Sequence, residues 1–303
     1  MNATAPLEDR ALGAFLGLGV GDALGTTLEF SVRDHHPRHT EMTGGGPFRL
    51  SPGVWTDDTA MALCLADSLI AHRGLELTDL MRRFVRWWRD GENSATGTCF
   101  DIGITTAQAL QQFERKGDPR AGSADPSAAG NGSLVRLAPV AIFAAADPDL
   151  ARTLAREQSA TTHAAPECLD ACAFLATLLV EALAGATVVE VVRPRDWQGT
   201  PAVTALAAGN WRGKSRSAIA SSGYVIHTLE SALWSVGGAL SFEDALITAV
   251  NLGGDADTVG AVTAQLAGAL WGKSAIPERW LRPLAWREHI EATAIRLLRA
   301  GSL

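Results

Sequence analysis

Apolar residues recur three and four positions apart along most of the chain, the spacing that gathers them on one face of a helix. The pattern predicts helices over residues 10–25, 57–72, 78–90, 102–114, 134–146, 149–159, 167–184, 217–235, 242–250, 258–271 and 288–300. Alternation of period two, the mark of strands, is almost absent. Alanine and leucine dominate these blocks, and their ends fall at Gly, Pro, Asp and Asn, residues that terminate helices. The expected architecture is an all-α globule forming a single domain over 1–303. Three connections are long, 31–55, 116–133 and 193–216. Loops of that length in a compact domain carry function or stay disordered.

The first helix has an unusual ridge, because Gly13, Gly17, Gly21 and Gly25 stand four apart. Each interior glycine costs about 1 kcal/mol relative to alanine, so a ridge of them implies the close approach of another backbone or of a ligand. Tight helix packing is the simpler reading. Asp22 and Glu29 lie near one face of this helix if it extends that far.

Composition narrows the partners. The chain has 303 residues, 47% of them hydrophobic and 19% charged, with a net charge of -7 spread along its length. Without a Lys/Arg block, neither nucleic acid nor an anionic membrane is an expected partner. The opening "MNATAPLEDRALGAFLGLGVG" places Glu8 and Asp9 where a secretory signal would be basic. The apolar stretch "ACAFLATLLVEALAGATVVEVV" is interrupted by Glu181 and Glu190 and reads as a buried helix, not a membrane span. A cytoplasmic, monomeric protein is expected. Cys64, Cys99, Cys168 and Cys172 form no paired zinc motif, and Cys168 with Cys172 reads as a reduced buried pair.

The chemistry concentrates at two helix mouths. "VWTDDTAMALCLADSL" places Thr56, Asp57 and Asp58 before one apolar helix, and "NLGGDADTVGAVTAQLAGALWG" places Asp255, Asp257 and Thr258 before another. One reading is helix capping, with the acids facing the positive end of the helix dipole. A single cap satisfies a helix, however, and four carboxylates with two hydroxyls exceed that need. If folding brings the mouths together, these carboxylates repel unless protonated or bound to a cation. Oxygen donors without His or Cys suit Mg²⁺ or Mn²⁺ rather than zinc, and this many charges suits two ions.

Six blocks, "GAFLGLGVGDALGTTLEF", "WTDDTAMALCLADSL", "GNGSLVRLAPVAI", "TTHAAPECLDAC", "SSGYVIHTLESALW" and "NLGGDADTVGAVTAQLAGALWG", resemble the ADP-ribosylglycohydrolase family in order and style. They span residues 13–272, and the pairing of T-D-D with G-G-D-x-D-T is highly specific. "TCFDIGITTAQAL" is similar to the bacterial branch that includes the dinitrogenase reductase-activating glycohydrolase. The resemblance implies a compact orthogonal helical bundle with a dinuclear Mg²⁺ or Mn²⁺ site. Thr56, Asp57 and Asp58 would hold the ions from one side, and Asp255, Asp257 and Thr258 from the other. It implies hydrolysis of the N-glycosidic bond joining ADP-ribose to arginine, so the partners would be a mono-ADP-ribosylated protein and ADP-ribose itself.

Glu29, ending "GDALGTTLE", and Asp101, in "FDIG", match acidic positions of the family at the metal cleft and scissile bond, and one of them would be the acid or base. The glycine-rich turn "AAGNGSLVRL" offers Asn131, Gly132 and Ser133 as a cradle for the diphosphate, although Ser133 also suits a helix cap. Tyr224 matches an adenosine-contacting position, and His163 is a candidate for ribose or phosphate contact. Two other functions compete: a non-catalytic ADP-ribose binder or toxin-immunity partner, and a hydrolase of another ADP-ribosylated acceptor or small ribosylated compound. The family's acceptor side is formed by loops, which vary freely.

Overall fold

The computed structural model describes residues 5–302. Fourteen helices follow in order: α1 Leu7–Gly25, α2 Asp57–His72, α3 Leu77–Asp90, α4 Ile104–Lys116, α5 Ala138–Phe143, α6 Pro148–Ala160, α7 Pro166–Leu183, α8 Val188–Val191, α9 Pro201–Ala207, α10 Val225–Gly238, α11 Phe242–Val250, α12 Ala256–Trp271, α13 Glu278–Leu281 and α14 Arg287–Gly301. Among the described residues no strand forms, only isolated β-bridges between loops. The all-α expectation holds.

Boundaries differ where backbone chemistry overrides the apolar pattern. The block at 134–146 reduces to α5, whose second residue is Pro139, a position proline suits because it needs no helical N–H. The block at 217–235 opens on a 3-10 turn at Arg216–Ala218 and becomes an α-helix only at Val225, since Ser221, Ser222 and Gly223 run irregularly. Three short helices, α8, α9 and α13, are too brief for a 3.6-residue period to reveal.

Helices α1, α7 and α12 are apolar on every side and occupy the interior, as such helices must. The segment Leu7–Leu28 has the length and mean hydropathy, 1.4, of a membrane span, and 89% of that window is buried against the rest of the protein. Its apolarity is that of a core helix. Arg10 belongs to the same core, where it donates to Ala182 O at 2.7 Å and Ala269 O at 3.0 Å. Both carbonyls lie in the last turns of their helices, where the regular i to i+4 bonds run out.

The glycine ridge packs α1 antiparallel against α12. A Cβ on Gly13, Gly17, Gly21 or Gly25 would fall 2.4, 2.3, 2.3 and 2.3 Å from the carbonyl oxygens of Gly268, Ala264, Gly260 and Ala256 respectively. Each four-residue step forward on α1 matches a four-residue step backward on α12, so the two backbones touch along their full length. The register ends at Ala256, which delivers the N-terminus of α12 beside the C-terminal end of α1.

Gly21→Ala is therefore expected to destabilise the protein by about 2 kcal/mol or more through backbone displacement. Gly19 points elsewhere, its nearest neighbour being Ile290 Cδ1 at 3.5 Å, and Gly19→Ala should be neutral or stabilising by up to about 1 kcal/mol. Urea unfolding of both variants checks this contrast; equal effects would refute the ridge as the determinant.

Candidate active site

The C-terminal end of α1 gathers both acidic mouths. Thr56 stands at the N-cap position of α2, yet its hydroxyl makes no cap bond. Asp22 of α1 does that work instead. Its Oδ1 accepts Thr56 N–H at 2.9 Å, and its Oδ2 accepts Thr59 N–H at 3.0 Å and Thr59 Oγ1 at 2.6 Å. Asp255 likewise occupies the N-cap of α12 without a side-chain cap bond. Neither mouth therefore uses its side chains as hydrogen-bonded caps, although Asp57, Asp58 and Asp257 stand in the first turns, and apart from Asp255 Oδ2, held by Asn131, the carboxylates are open to another partner.

Two consecutive left-handed glycines, Gly253 and Gly254, turn the chain into α12 with φ of 69° and 66°. A Cβ on Gly254 would meet Ser221 O at 2.2 Å, so only glycine fits. Asp255 N–H donates to Ser221 O at 2.9 Å, and Phe30 N–H donates to Gly254 O at 2.7 Å. These bonds pin Glu29 and Asp255 to opposite sides of one opening.

A cavity of about 610 Å³, within the size range of small-molecule sites, is lined by Glu29, Asp57, Asp58, Asp101, Asp255, Asp257 and Thr258. Asn131, Gly132 and His163 line it as well. One oxygen each of Glu29, Asp101 and Asp257 lie within 4.8 Å of one another. Buried oxygens of Glu29, Thr56, Asp58 and Asp257 have no hydrogen-bond partner among the described residues. Orphaned oxygens are costly in a protein interior, and an all-oxygen, acid-rich donor set fits a hard divalent cation. Thr56 sits behind the cavity wall, 1% exposed, with its unpartnered Oγ1 among them.

Burial and crowding raise the proton affinity of several of these acids. Burial first, then the neighbouring acids, pushes Asp57, Asp58 and Asp257 well above the usual carboxylate range. The same causes raise Glu29 to about 9 and Asp101 to about 7. Burial raises Asp22 to about 6 against the opposing hydrogen bonds from Thr59 and Thr56. Asp101 also holds φ of 60°, a left-handed conformation that aspartate tolerates better than most residues.

Three expected binding residues are placed differently from the others. Asn131 is a scaffold: its N–H donates to Gly223 O at 3.1 Å, and its Nδ2 donates to Asp255 Oδ2 at 2.7 Å and Thr228 Oγ1 at 2.8 Å. Ser133 is fully buried, its hydroxyl accepting from Ser159 Oγ at 2.7 Å, so only its backbone can face a ligand. Among the described residues the N–H groups of Gly132 and Ser133 have no acceptor. Tyr224 does not line the cavity; its hydroxyl donates to Glu167 Oε2 at 2.6 Å, and its backbone bridges Gly130 at the cavity edge.

His163 is held neutral, burial and then Arg136 pushing it down to about 3. Arg136 is itself fully buried and donates to Thr162 Oγ1 at 2.9 Å, leaving that hydroxyl to donate to His163 Nδ1 at 2.8 Å. By this accounting Nε2 carries the proton. Neither Arg136 nor Asp22 was singled out as a site residue from sequence. The signal was present in both: a lone charge inside an apolar run must find buried partners.

Raised carboxyl values mean that folding favours the protonated forms. Their contribution to stability is complete below the unfolded values near 4 and is lost as pH rises through about 6, 7 and 9 for Asp22, Asp101 and Glu29. Chelator-treated protein is expected to lose melting temperature from pH 5 to pH 8.5, and added Mn²⁺ or Mg²⁺ to restore more at the higher pH. A divalent effect equal at both ends, measured by thermal melts, would contradict the cluster's role. Asp22→Asn sets an amide NH₂ against converging donors. It should cost about 2 kcal/mol in urea unfolding and weaken divalent binding in calorimetry.

Comparison with known proteins agrees with this geometry. The ADP-ribosylglycohydrolase family pattern matches residues 3–302. The chain is 47% identical to ADP-ribosylarginine hydrolase Tri1 of Pseudomonas putida (strain GB-1), covering 95% of this chain and 78% of that protein. It is 33% identical to ADP-ribosyl-[dinitrogen reductase] glycohydrolase of Rhodospirillum rubrum, over 92% and 91% of the two chains. A solved ADP-ribosylglycohydrolase-related protein complex contains a chain that superposes with a TM-score of 0.87 at 45% identity, covering 97% of this chain and 99% of that one. The acidic helix mouths, the fold that joins them and these similarities together establish that the chain belongs to the ADP-ribosylglycohydrolase family.

Proposed function

We propose that the protein hydrolyses the N-glycosidic bond between ADP-ribose and an arginine side chain of a modified protein. The observation that carries this reading is the convergence of Glu29, Asp101 and Asp257 oxygens within 4.8 Å beside the orphaned oxygens of Thr56 and Asp58. The relatives named for hydrolysis of ADP-ribosylarginine support it.

Thr56, Asp57 and Asp58 from α2, with Asp255, Asp257 and Thr258 from α12, would hold two Mg²⁺ or Mn²⁺ ions. When bound, such ions supply Lewis-acid polarisation of ribose oxygens. The remaining chemistry belongs to the chain. Breaking the bond leaves positive charge at the anomeric carbon, and the cavity's carboxylates lower the energy of that oxocarbenium-like state. The departing guanidine nitrogen needs a proton, and water must lose one as it attacks the anomeric carbon.

Asp101 suits the proton-moving role, because its carboxyl is raised to about 7, where giving and taking a proton are both accessible at neutral pH. Glu29 is more deeply placed, 5% exposed with Oε2 unpartnered, and belongs to the cation-facing side. The free N–H groups of Gly132 and Ser133 would receive a phosphate, and His163 would donate from Nε2 to a phosphate or ribose oxygen.

The test is release of free ADP-ribose from an arginine-ADP-ribosylated protein, with and without Mn²⁺ or Mg²⁺. Metal-dependent release is expected in the intact protein and a loss of at least about 10³-fold in Asp255→Ala, with Asp101→Asn comparably impaired while still binding ADP-ribose. Tight ADP-ribose binding with no release in the intact protein would replace hydrolysis with a binding role.

A further inference from the structure

A second cavity, of about 310 Å³, adjoins the catalytic one and has no part in the chemistry above. Its charged lining is Arg33, Arg38 and Arg216 against one carboxylate, Asp34. Asp34 is already engaged, its Oδ2 accepting from Arg216 Nη1 at 2.7 Å. Arg33 is fixed mainly by backbone carbonyls, donating to Leu252 O at 2.8 Å, Arg216 O at 2.5 Å and Ile219 O at 2.6 Å, and, among the described residues, by no carboxylate. Those bonds orient the guanidinium without neutralising it. Burial, then the neighbouring Arg216, lowers its pKa against the opposing charge of Asp34, which is itself bound to Arg216. Arg38 is exposed and, among the described residues, has no carboxylate partner.

The two cavities share a wall. Ser31 lines the cationic one and pairs its backbone with Gly254, which lines the catalytic one. Arg33 Nη2 reaches Ser221 Oγ in the catalytic wall at 3.4 Å. The loop joining them exposes Phe30, in the lining of the catalytic cavity, to 68% and Val32, in that of the cationic one, to 65%. Phe30 also holds φ of 58°, a strained conformation for an aromatic residue, maintained here by its bond to Gly254 O. Strain that holds an aromatic ring out in water at the mouth of a reaction cavity marks a contact surface.

The charge of the whole chain, -7, repels an acidic partner from most of its surface, so a local cationic pocket decides where such a partner lands. We propose that Arg33, Arg38 and Arg216, with the Phe30 and Val32 crest, dock an acidic segment of the substrate protein flanking its ADP-ribosylated arginine. This rests on the hydrolase reading and adds a partner preference to it. The acidic flank supplies the counter-ions that Arg33 and Arg38 lack, while Phe30 and Val32 cover the backbone of the incoming segment.

The experiment compares three substrates under divalent-cation saturation: free ADP-ribosyl-arginine, an ADP-ribosylated arginine peptide flanked by Asp and Glu, and the same peptide flanked by Ala. At low ionic strength the acidic peptide is expected to have a kcat/KM about five-fold above the neutral one, an advantage carried by KM and lost in high salt. Arg38→Glu should abolish or invert that ratio, Arg38→Lys should keep it, and turnover of free ADP-ribosyl-arginine should be unchanged in both. Turnover without flank preference, or a ratio unaffected by Arg38→Glu, would overturn the docking surface alone. Absence of turnover on all three substrates would remove the hydrolase reading, and the docking surface with it.

Discussion

Backbone contact between α1 and α12 is the constraint on which the site depends. Where glycines remove the side chains, two helices approach to the limit set by their carbonyl oxygens. That limit is rigid in a way that interdigitated leucines are not, because no rotamer can yield. The contact positions Ala256, and thus Asp257 and Thr258, against the segment of α1 that carries Asp22 and leads into Glu29. Asp22 then fixes α2 through three hydrogen bonds. One helix end thereby sets the relative position of two others, far apart in the chain.

The electrostatics follow from that geometry. Seven acidic side chains, counting Asp22 behind the wall, share a small volume, and burial already disfavours ionisation of Asp22, Glu29, Asp57, Asp58, Asp101 and Asp257. Capping from another helix is what makes the arrangement serviceable, since it satisfies the first turn of α2 without using Thr56, Asp57 or Asp58. On the opposite side of the cavity Arg136 sets the character of His163 through one threonine hydroxyl. The imidazole is thereby a fixed neutral donor.

Much of this was legible in the residues. The helical period located most of the long helices because their apolar faces must meet a core, and the excess of acids over caps at two mouths signalled a shared site. The glycine spacing indicated close helix packing, though not which helix would be met. Positions set by tertiary contact were harder to read. Nothing local to Ser133 says that its hydroxyl turns inward to Ser159, nor that Tyr224 is tied to Glu167. The role of Asp22 depends on a loop of more than two dozen residues folding back, and the wall at 221–223 broke a helix that its neighbours favoured.

The glycine ridge also bears on how this sequence can drift. An overlarge side chain in a core can be offset by trimming the side chain it meets, so such positions change in pairs. At Gly13, Gly17, Gly21 and Gly25 the opposing atoms are carbonyl oxygens, which every residue carries, and no substitution on α12 can make room. Each position is therefore held singly. The most consequential contact in the protein would leave no trace in correlated substitution, although it governs where the acids of the two helix mouths stand.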